Sequence, residues 1–468
     1  MKIRTGLVVG TVLSLGLVTG CGGGDGDGET GTKATGRPKA SASASASEAG
    51  QPVYKGEPVP GLAAEPAWSL ARKDGKAYEC GGDTAYDRTD HLYGTDPDRI
   101  CQVGDAFLLV QDLTAPEDES GADTRTAHFV AHLYDAATGK ERKTFTVKCA
   151  YDPADGDGPS LSAHVQVGQW KDGSPAFLVR TCANTKASGL KAATVKTTYT
   201  MYDPSGAELG SSTLTGEDSI DLPVIRGHVK TDDRVTFVPI GGGKEFVLDK
   251  YLAEKEIYGS GQGYVDNDHG IYTPLRLIDR TTGKRVWSTG DEVEQPDELR
   301  DMDGEYEDGD RYLFPLRDDQ ATLVWSSRTS GDDLITTVDL PTGRTLAVGP
   351  AVKVSLASTD LAEIVVSPDG KTAVANFGEG ALAWNTQTGA ELWRQEADDK
   401  DIKPLVITPG GVLYATLDEG ETAALDAGTK ELLGMVPEEA EAPAEFTSNG
   451  YTLVDTSEGF FAFATEKA

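Results

Sequence analysis

The sequence is poor in basic residues, in histidine and cysteine, and in long apolar runs. Its 468 residues contain 43 Lys and Arg against 76 Asp and Glu, which gives a net charge of −33 at pH 7. This charge argues against nucleic acid as a partner, because phosphates repel an acidic surface. With six His and five Cys, and neither a CxxC pair nor an HExxH helix, the sequence offers no zinc site. The apolar stretch 7–18 is too short to span a bilayer, which takes about 20 residues.

The N-terminus has the features of a secretory signal. Lys2 and Arg4 precede the short apolar stretch, and Val18-Thr19-Gly20 leads into Cys21. This arrangement resembles the lipobox of bacterial lipoproteins, which implies that residues 1–20 are a lipoprotein signal peptide and that Cys21 is lipidated. An ordinary signal peptide followed by an unrelated cysteine is the alternative. We expect the anchor to hold the protein in the cell envelope, at the outer face of the cytoplasmic membrane. The Gly-, Ala-, Thr- and Asp-rich composition favours a Gram-positive bacterium.

The segment after Cys21 contains almost nothing to bury. Residues 22–52 are mainly Gly, Ser, Ala and Asp, and they include the alternating Ala/Ser run 40–47. Such a composition is typical of a disordered linker. We therefore predict a tether over residues 21–56 and one folded domain over residues 57–468.

Four cysteines remain once Cys21 is assigned to the anchor. An even number of cysteines outside the cytoplasm usually forms disulfides, and four cysteines allow three pairings. We favour Cys80–Cys101 and Cys149–Cys182, which close the shortest loops. Cys149 and Cys182 each end a strand-like run, KTFTVKC and AFLVRTC, so neighbouring strand ends would hold the second bridge.

A sequence motif, which we call the phrase, recurs through the folded domain. It consists of apolar residues, an Asp, a short turn that contains Gly, and a second strand. Its Asp or Asn positions are Asp135, Asp203, Asp279, Asp339, Asn385 and Asp426, and their spacings are 68, 76, 60, 46 and 41 residues. Repeats of about 40 to 50 residues with several short strands are typical of propeller blades, and longer spacings indicate insertions.

The residues of the phrase suit a tight hairpin. The Asp accepts hydrogen bonds from the amides of the turn, and Gly supplies the positive φ that the turn requires. The turn glycines are Gly139, Gly206, Gly283, Gly343 and Gly389. Two copies continue to a Trp four residues after the Gly, namely Trp287 and Trp393. We interpret all of these positions as blade-turn and docking residues.

The phrase, approximately AxDxxTGxxxW, resembles the tryptophan-docking repeat of quinoprotein-type (PQQ-like) propellers, in which the Trp packs between adjacent blades. The resemblance implies an all-β fold, a single β-propeller of PQQ-like repeats. Pro66-AWSL resembles an outermost strand, and Gly459-FFAFA resembles the strand beside it, so the two ends of the chain complete one blade. Six phrases and this composite blade predict seven blades. The count is eight if the gap before Asp279 contains another repeat near Phe246.

Cofactor binding does not follow from the repeat. Quinoprotein dehydrogenases that share it use calcium and a catalytic Asp in the axial funnel, often beside vicinal cysteines, and this sequence has no adjacent cysteines. We expect no cofactor, and neither pyrroloquinoline quinone nor a resident metal. Weak calcium candidates are Asp301, Asp303 and Glu305, within a run of eleven carboxylates at 291–310. Tyr306 occupies the place where an EF-hand loop needs Gly, so a solvated charge run is the preferred interpretation.

These patterns predict a non-catalytic platform that binds a protein or an envelope component through a face built by the insertions 250–270 and 290–311. Membrane contact would come through the lipid anchor, and nucleic acid is not an expected partner. Two alternatives stay open. A propeller enzyme, quinone-dependent or carbohydrate-active, would gather carboxylates in the funnel, and a sugar or small-ligand receptor would line the funnel with aromatic residues.

Overall fold

The computed structural model describes most of the folded domain. The described residues are 52–71, 78–80, 82–83, 101–113, 125–151, 164–185, 194–216, 222, 224–231, 236–247, 257–260, 263–266, 276–279, 284–289, 293, 296–297, 311–317, 319–325, 333–352, 364–377, 380–396, 398–417, 420–437, 443 and 445–468. All of them belong to the compact unit Ala49–Ala468, and their regular elements are strands.

Five sheets each contain four strands that pair in sequence order, every strand antiparallel to the next. We call these sheets blades 3 to 7. Blade 3 contains β12 (Val224–Ile225), β13 (His228–Lys230), β14 (Thr236–Pro239) and β15 (Phe246–Val247); blade 4 contains β16 (Ile257–Ser260), β17 (Gly263–Asp266), β18 (Arg276–Asp279) and β19 (Lys284–Ser288); blade 5 contains β20 (Arg311–Arg317), β21 (Gln320–Trp325), β22 (Asp333–Asp339) and β23 (Arg344–Val352); blade 6 contains β24 (Ile364–Val366), β25 (Thr372–Asn376), β26 (Ala381–Asn385) and β27 (Glu391–Arg394); blade 7 contains β28 (Ile402–Ile407), β29 (Val412–Leu417), β30 (Thr422–Asp426) and β31 (Leu432–Met435).

A ten-stranded sheet precedes them and consists of two further blades. Among the residues that the structure describes, one backbone bridge, Cys149 with Cys182, links the main strands of these two blades, and Gly82–Asp83 pairs with Gln166–Val167. Blade 1 contains β4 (Gln102–Val103), β5 (Ala106–Asp112), β6 (Arg125–Asp135) and β7 (Glu141–Tyr151), with β2 (Tyr78–Cys80) also paired to β5; blade 2 contains β8 (Val165–Gln169), β9 (Pro175–Thr185), β10 (Thr194–Tyr202) and β11 (Glu208–Thr215), with β3 (Gly82–Asp83) at its edge.

The two ends of the chain form blade 8. β1 (Trp68–Ala71) pairs with β33 (Gly459–Ala464), which pairs with β32 (Tyr451–Thr456). Backbone hydrogen bonds extend the contact beyond the strands, from Ala63 N to Ala464 O and from Glu466 N to Gly61 O. Because the first strand completes the last sheet, the ring has no free end. The fold is therefore a single β-propeller of the all-β class, closed by its own termini.

When the ten-stranded sheet is counted as two blades, the described strands form eight, which is the alternative that the sequence left open beside the preferred seven. The additional sheet is blade 3, which lies in the gap before Asp279 that left room for another repeat. Its third and fourth strands are joined by Ile240–Glu245, where Gly241, Gly242 and Gly243 have φ values of 77°, 87° and 129°. Three glycines thus make the reversal that Asp and a single Gly make elsewhere, so the sequence phrase is missing while the hairpin is kept. The segment 250–270, which we predicted to be an insertion, contains β16 and β17.

Apolar side chains fill the spaces between consecutive blades. One cluster joins Ile335 of blade 5 to Ala373 and Trp384 of blade 6, and another joins Trp393 of blade 6 to Leu413 of blade 7. A blade with such a cluster on each side therefore buries both faces of its sheet, as radial packing requires.

The segment 52–62 packs along blades 7 and 8, although its first five residues fall within the predicted tether. The Tyr54 ring lies 5.2 Å from Phe461 and 5.0 Å from Phe463, centroid to centroid. Val59 and Leu62 are buried in the same cluster, and the Tyr414 hydroxyl donates to Pro60 O at 2.6 Å. We call residues 52–62 the strap. The strap places apolar side chains where the ring closes. In blade 8 the third and fourth strands, β33 and β1, are far apart in sequence, so no turn joins them.

Candidate interaction surface

The Asp or Asn of the repeat organises the turn that follows it. Asp135 Oδ1 accepts hydrogen bonds from Thr138 N at 2.9 Å and Thr138 Oγ1 at 2.7 Å. Asn385 Oδ1 accepts from the backbone N–H groups of Gln387 and Thr388. Asp203, Asp339 and Asp426 make the same kind of contact. Each side chain satisfies amides that the hairpin leaves unpaired, so its role in the structure is to shape the turn.

Three tryptophans join one blade to the next by the same contact. Trp68 Nε1 donates to Ala136 O at 2.8 Å, Trp287 Nε1 to Leu340 O at 2.6 Å, and Trp393 Nε1 to Ala427 O at 2.8 Å. Each acceptor directly follows the Asp of the next blade's turn. Glycine keeps room for the indole, because a Cβ on Gly139 would lie 2.6 Å from the Trp68 ring and one on Gly343 would lie 2.9 Å from the Trp287 ring.

Other blades fill the Trp position differently. In blade 1 the position is Lys143, whose Nζ donates to Gly206 O at 2.6 Å and lies 5.1 Å from the centre of the Phe145 ring. In blade 7 the turn glycine is displaced, and Lys430 adopts a φ of 67° in its place. Its ammonium group pairs with Asp399. The contact between neighbouring blades thus varies where the Trp or the turn glycine is replaced.

Arg142 ties together the turns of blades 1 and 2. Its guanidinium contacts Asp105 Oδ1 at 2.8 Å and Asp135 Oδ2 at 2.7 Å, and it donates to Pro204 O at 2.8 Å. Hydrogen bonding to Arg142 lowers the pKa of both carboxyl groups below the ordinary value of 3.8. The two acids raise the pKa of Arg142 in turn. This network is structural, because every partner lies at a turn.

A buried histidine lies beside a buried arginine in blade 2. His164 and Arg180 are each 1% exposed, and the His164 ring lies 5.4 Å from the Phe129 ring. Burial, followed by the positive charge of Arg180, lowers the pKa of His164 to about 4. His164 is therefore neutral at pH 7 and serves as a packed core side chain.

The connections between strands divide into two sets. Turns between the first and second strands of a blade, and between its third and fourth, contain at most six residues; we call their side the short-turn edge. All longer connections join the second strand to the third or one blade to the next; we call this side the long-connection edge. Because neighbouring strands are antiparallel, the two sets lie at opposite ends of the strands.

Charge follows the same division. Between residues 104 and 458, connections of the long-connection edge contain 43 Asp and Glu against nine Lys and Arg. Turns of the short-turn edge contain eight acidic and seven basic residues. Most acidic residues of the connections thus lie in segments whose flanking strand ends are at the long-connection edge, and acidic segments repel anionic partners.

The exposed large apolar residues lie mainly on outer strands. Val286, Val348 and Leu392 are each about 40% exposed, on β19, β23 and β27. On β31 three such residues cluster, namely Leu432, Leu433 and Met435. The sequence predicted a strand after Asp426 but not its exposure, because an apolar tetrapeptide gives no indication of which faces remain uncovered.

Several predicted site residues fall outside the described residues. Cys21, Gly283, Asp301, Asp303 and Glu305 are among them, and of Asp279 only its place at the end of β18 is described. The structure contains disulfides Cys80–Cys101 and Cys149–Cys182, the pairing favoured from the sequence. The first connects β2 to the residue before β4, so it joins the two segments that pair with β5. Among the described side chains, no three His, Cys, Asp or Glu are grouped to hold a metal ion.

Comparison with known proteins extends this description. Residues 273–467 match the family described as PQQ_2, outer membrane protein assembly factor BamB. No curated protein matches the chain. In the part of the chain that the structure describes, no helix is long and apolar enough to cross a membrane.

Solved structures similar to the chain include BamB from Moraxella catarrhalis, at 15% identity over 74% of this chain and 83% of that one, with a TM-score of 0.27. The β-propeller domain of Cps50 (Swd1) from Myceliophteria thermophila is 12% identical over 70% of this chain and 96% of that one, with a TM-score of 0.31. The C-terminal WD40 domain of Sif2 is 10% identical over 78% and 82%, with a TM-score of 0.31. The assignment of the fold to this chain rests on its strand pairing.

Proposed function

We propose that this chain is a lipid-anchored, extracytoplasmic β-propeller that acts as a non-catalytic platform for another protein or an envelope component. The observation that carries the proposal is the separation of the two edges. Tight turns hold the blades in place at one edge, while all the long connections emerge at the other. Variable segments on a rigid scaffold are the usual location of binding determinants.

The charge of the long-connection edge indicates the chemistry of the partner. An excess of carboxylates attracts a surface that carries Lys or Arg and speeds its encounter. The match of residues 273–467 to a family described as an assembly factor agrees with a binding role. The chain therefore binds a protein with a basic surface, at the edge that faces away from the short turns.

The anchor rests on the sequence of the N-terminus. Cys21 follows a short apolar segment and two small residues, as in bacterial lipoproteins. This resemblance supports an anchor that would hold the propeller at the outer face of the cytoplasmic membrane. Replacement of Cys21 by Ser is expected to abolish incorporation of radiolabelled palmitate and to release the protein from membranes. Retention of both in the variant would contradict the anchor without bearing on the platform.

Cross-linking with mass spectrometry on intact cells tests the platform. We expect one dominant partner, with cross-links in the long-connection edge. The informative variant replaces residues 298–310 with a Gly/Ser linker of equal length, which spares the buried Val293 and Pro296. A matched control replaces the short turn 408–411, TPGG, with another turn sequence. Loss of the partner in the first variant alone supports the proposal.

The absence of any cross-linked partner from the wild-type protein would overturn the platform. The axial funnel would then be the place to look, and an enzyme or a small-ligand receptor would replace the binding protein as the leading hypothesis.

A further inference from the structure

The outer strand of blade 7 departs from the pattern of its neighbour. In blade 6, Glu391 and Arg394 on β27 form an ion pair of 2.8 Å. Strand pairing places Leu432 and Met435 at the equivalent positions of β31, because Trp384 pairs with Glu391 as Leu425 pairs with Leu432, and Leu382 pairs with Arg394 as Ala423 pairs with Met435. Two exposed apolar side chains thus replace a charged pair.

The replacement leaves apolar surface uncovered. Leu432 is 57% exposed, Leu433 39% and Met435 41%. The opposite side of the strand is filled, because Pro60 of the strap lies against Gly434, where a Cβ would be 2.7 Å from Pro60 Cγ. Gly434 therefore packs against the strap, while Leu432, Leu433 and Met435 are exposed at the surface.

β31 is also the outermost strand of its sheet. Within the described residues it pairs only with β30. Outer strands of four or more residues in the other internal blades contain charged residues, which discourage pairing with another chain. These are Glu141, Arg142, Lys143 and Lys148 on β7, Glu208 on β11, Lys284 and Arg285 on β19, Arg344 on β23, and Glu391 and Arg394 on β27. β31, of sequence Leu-Leu-Gly-Met, contains none.

The charged residues next to β31 in the sequence indicate which kind of ligand the strand binds. Glu431 precedes the strand, and Glu438 and Glu439 follow it in the sequence. We propose that β31 binds an extended segment of a partner protein, apolar at its centre and basic at both ends, which adds a fifth strand to blade 7. Backbone hydrogen bonds and contacts with Leu432 and Met435 supply the affinity, and the negative charge that the sequence carries before and after the strand favours the basic ends. This inference rests on the proposed protein-binding function and names the class of ligand.

A peptide provides the test. The probe is a short fluorescein-labelled peptide with paired lysines at both ends and alternating valine and threonine between them, measured by fluorescence anisotropy with the full mature chain. We expect it to bind the wild-type protein, and we expect weaker binding when the lysines are glutamates and none when the centre contains proline. In the double variant Leu432→Glu, Met435→Arg, which transfers the blade 6 pair to blade 7, binding is lost while the melting temperature is kept.

A reciprocal variant tests whether loss of binding comes from the changed side chains rather than from a misfolded protein. Glu391→Leu with Arg394→Met gives β27 the exposed residues of β31, and it is expected to create a second peptide site. Failure of the wild-type protein to bind the peptide, or equal binding by the Leu432→Glu, Met435→Arg variant, would overturn the inference. A wild-type dimer in sedimentation experiments that this variant abolishes would also overturn it, in favour of pairing between two copies of the chain.

Different experimental results would contradict the peptide site on β31 and the proposed platform function. If cross-linking captures a partner at the long-connection edge and the β31 variant leaves that partner unchanged, the platform stands and the strand site is wrong. If no partner is captured with either protein, the platform itself is wrong.

Discussion

The indole nitrogen of Trp393 lies 2.8 Å from the carbonyl oxygen of Ala427, the residue that follows the turn aspartate of the next blade. The Trp393 side chain is 8% exposed, so this hydrogen bond forms within a packed interface. Trp68 and Trp287 make the same contact in blades 8 and 4. The relationship identifies the Trp of the repeat as the residue that fixes one blade against the next.

Removal of this side chain is expected to destabilise the ring. Trp393→Ala opens a cavity between blades 6 and 7 and should lower the free energy of unfolding by about 3 to 5 kcal/mol. Trp393→Phe keeps most of the volume but leaves Ala427 O without its donor, at a cost of about 1 to 2 kcal/mol. Urea denaturation measures both changes. The matched control is Leu392→Ala at a half-exposed neighbour; if it costs as much as Trp393→Ala, the docking role is wrong.

Lys430 occupies a backbone conformation that suits glycine. Its φ of 67° costs a residue with a Cβ about 1 kcal/mol, and part of this cost is offset by the ion pair with Asp399. In an Asp399→Asn background, Lys430→Gly is therefore expected to raise the thermal midpoint. In the wild-type background the gain should be smaller, because the substitution also removes the pair. A decrease in the Asp399→Asn background would show that the backbone is not strained at this position.

The Arg142 network predicts one form of acid sensitivity. The folded-state pKa values of Asp105 and Asp135 lie below 3.8, so their contribution is present above this pH and is lost as pH falls through the lowered values. Arg142→Gln should cost about 1 kcal/mol at pH 7, because these groups are partly exposed. We expect the difference in thermal midpoint between the two proteins to shrink as pH decreases below 3.8. A difference that stays constant to pH 2 would exclude the ion pairs as its cause.

The buried His164 is expected to make the stability of the protein depend on pH in a higher pH range than the Arg142 network does. Its pKa is about 4 in the folded protein, against an ordinary value of 6.5, so protonation favours the unfolded chain. The stabilising contribution is complete above pH 6.5 and decreases as pH falls towards 4, by up to about 3 kcal/mol. His164→Gln removes this titration and should flatten the dependence of the unfolding midpoint on pH over that interval. If the unfolding midpoint of the His164→Gln variant depends on pH in the same way as that of the wild type, the prediction is wrong.

The fold was largely predictable because the repeat encodes it locally. The Asp and Gly of each phrase specify a hairpin on their own, and the apolar alternation specifies the flanking strands. Blade 3 was left only as an alternative, because Gly241, Gly242 and Gly243 make its reversal without the Asp. The Asp426 phrase was recognised although Lys430 stands in the place of the turn glycine, and its turn makes the same backbone hydrogen bond to the Asp or Asn carbonyl as the Asn385 turn.

The surfaces were less predictable, since they depend on what the fold leaves uncovered. The sequence showed that 291–310 is acidic, but only the strand order shows that the other long connections share its edge. Leu432 and Met435 look like core residues in the sequence. Their exposure follows from the position of β31 at the rim, a property of the sheet order that no local pattern contains.

The pairing of β1 with β33 also constrains how the chain folds. Trp68 pairs with Ala462, so nearly the whole domain must be synthesised before the first strand can meet its partner. Contacts between residues so distant in sequence form late and slowly. Until then β1 and β32 are open strand edges, which invites association with other chains. A nascent chain of this kind needs protection until Gly459–Ala464 have been made.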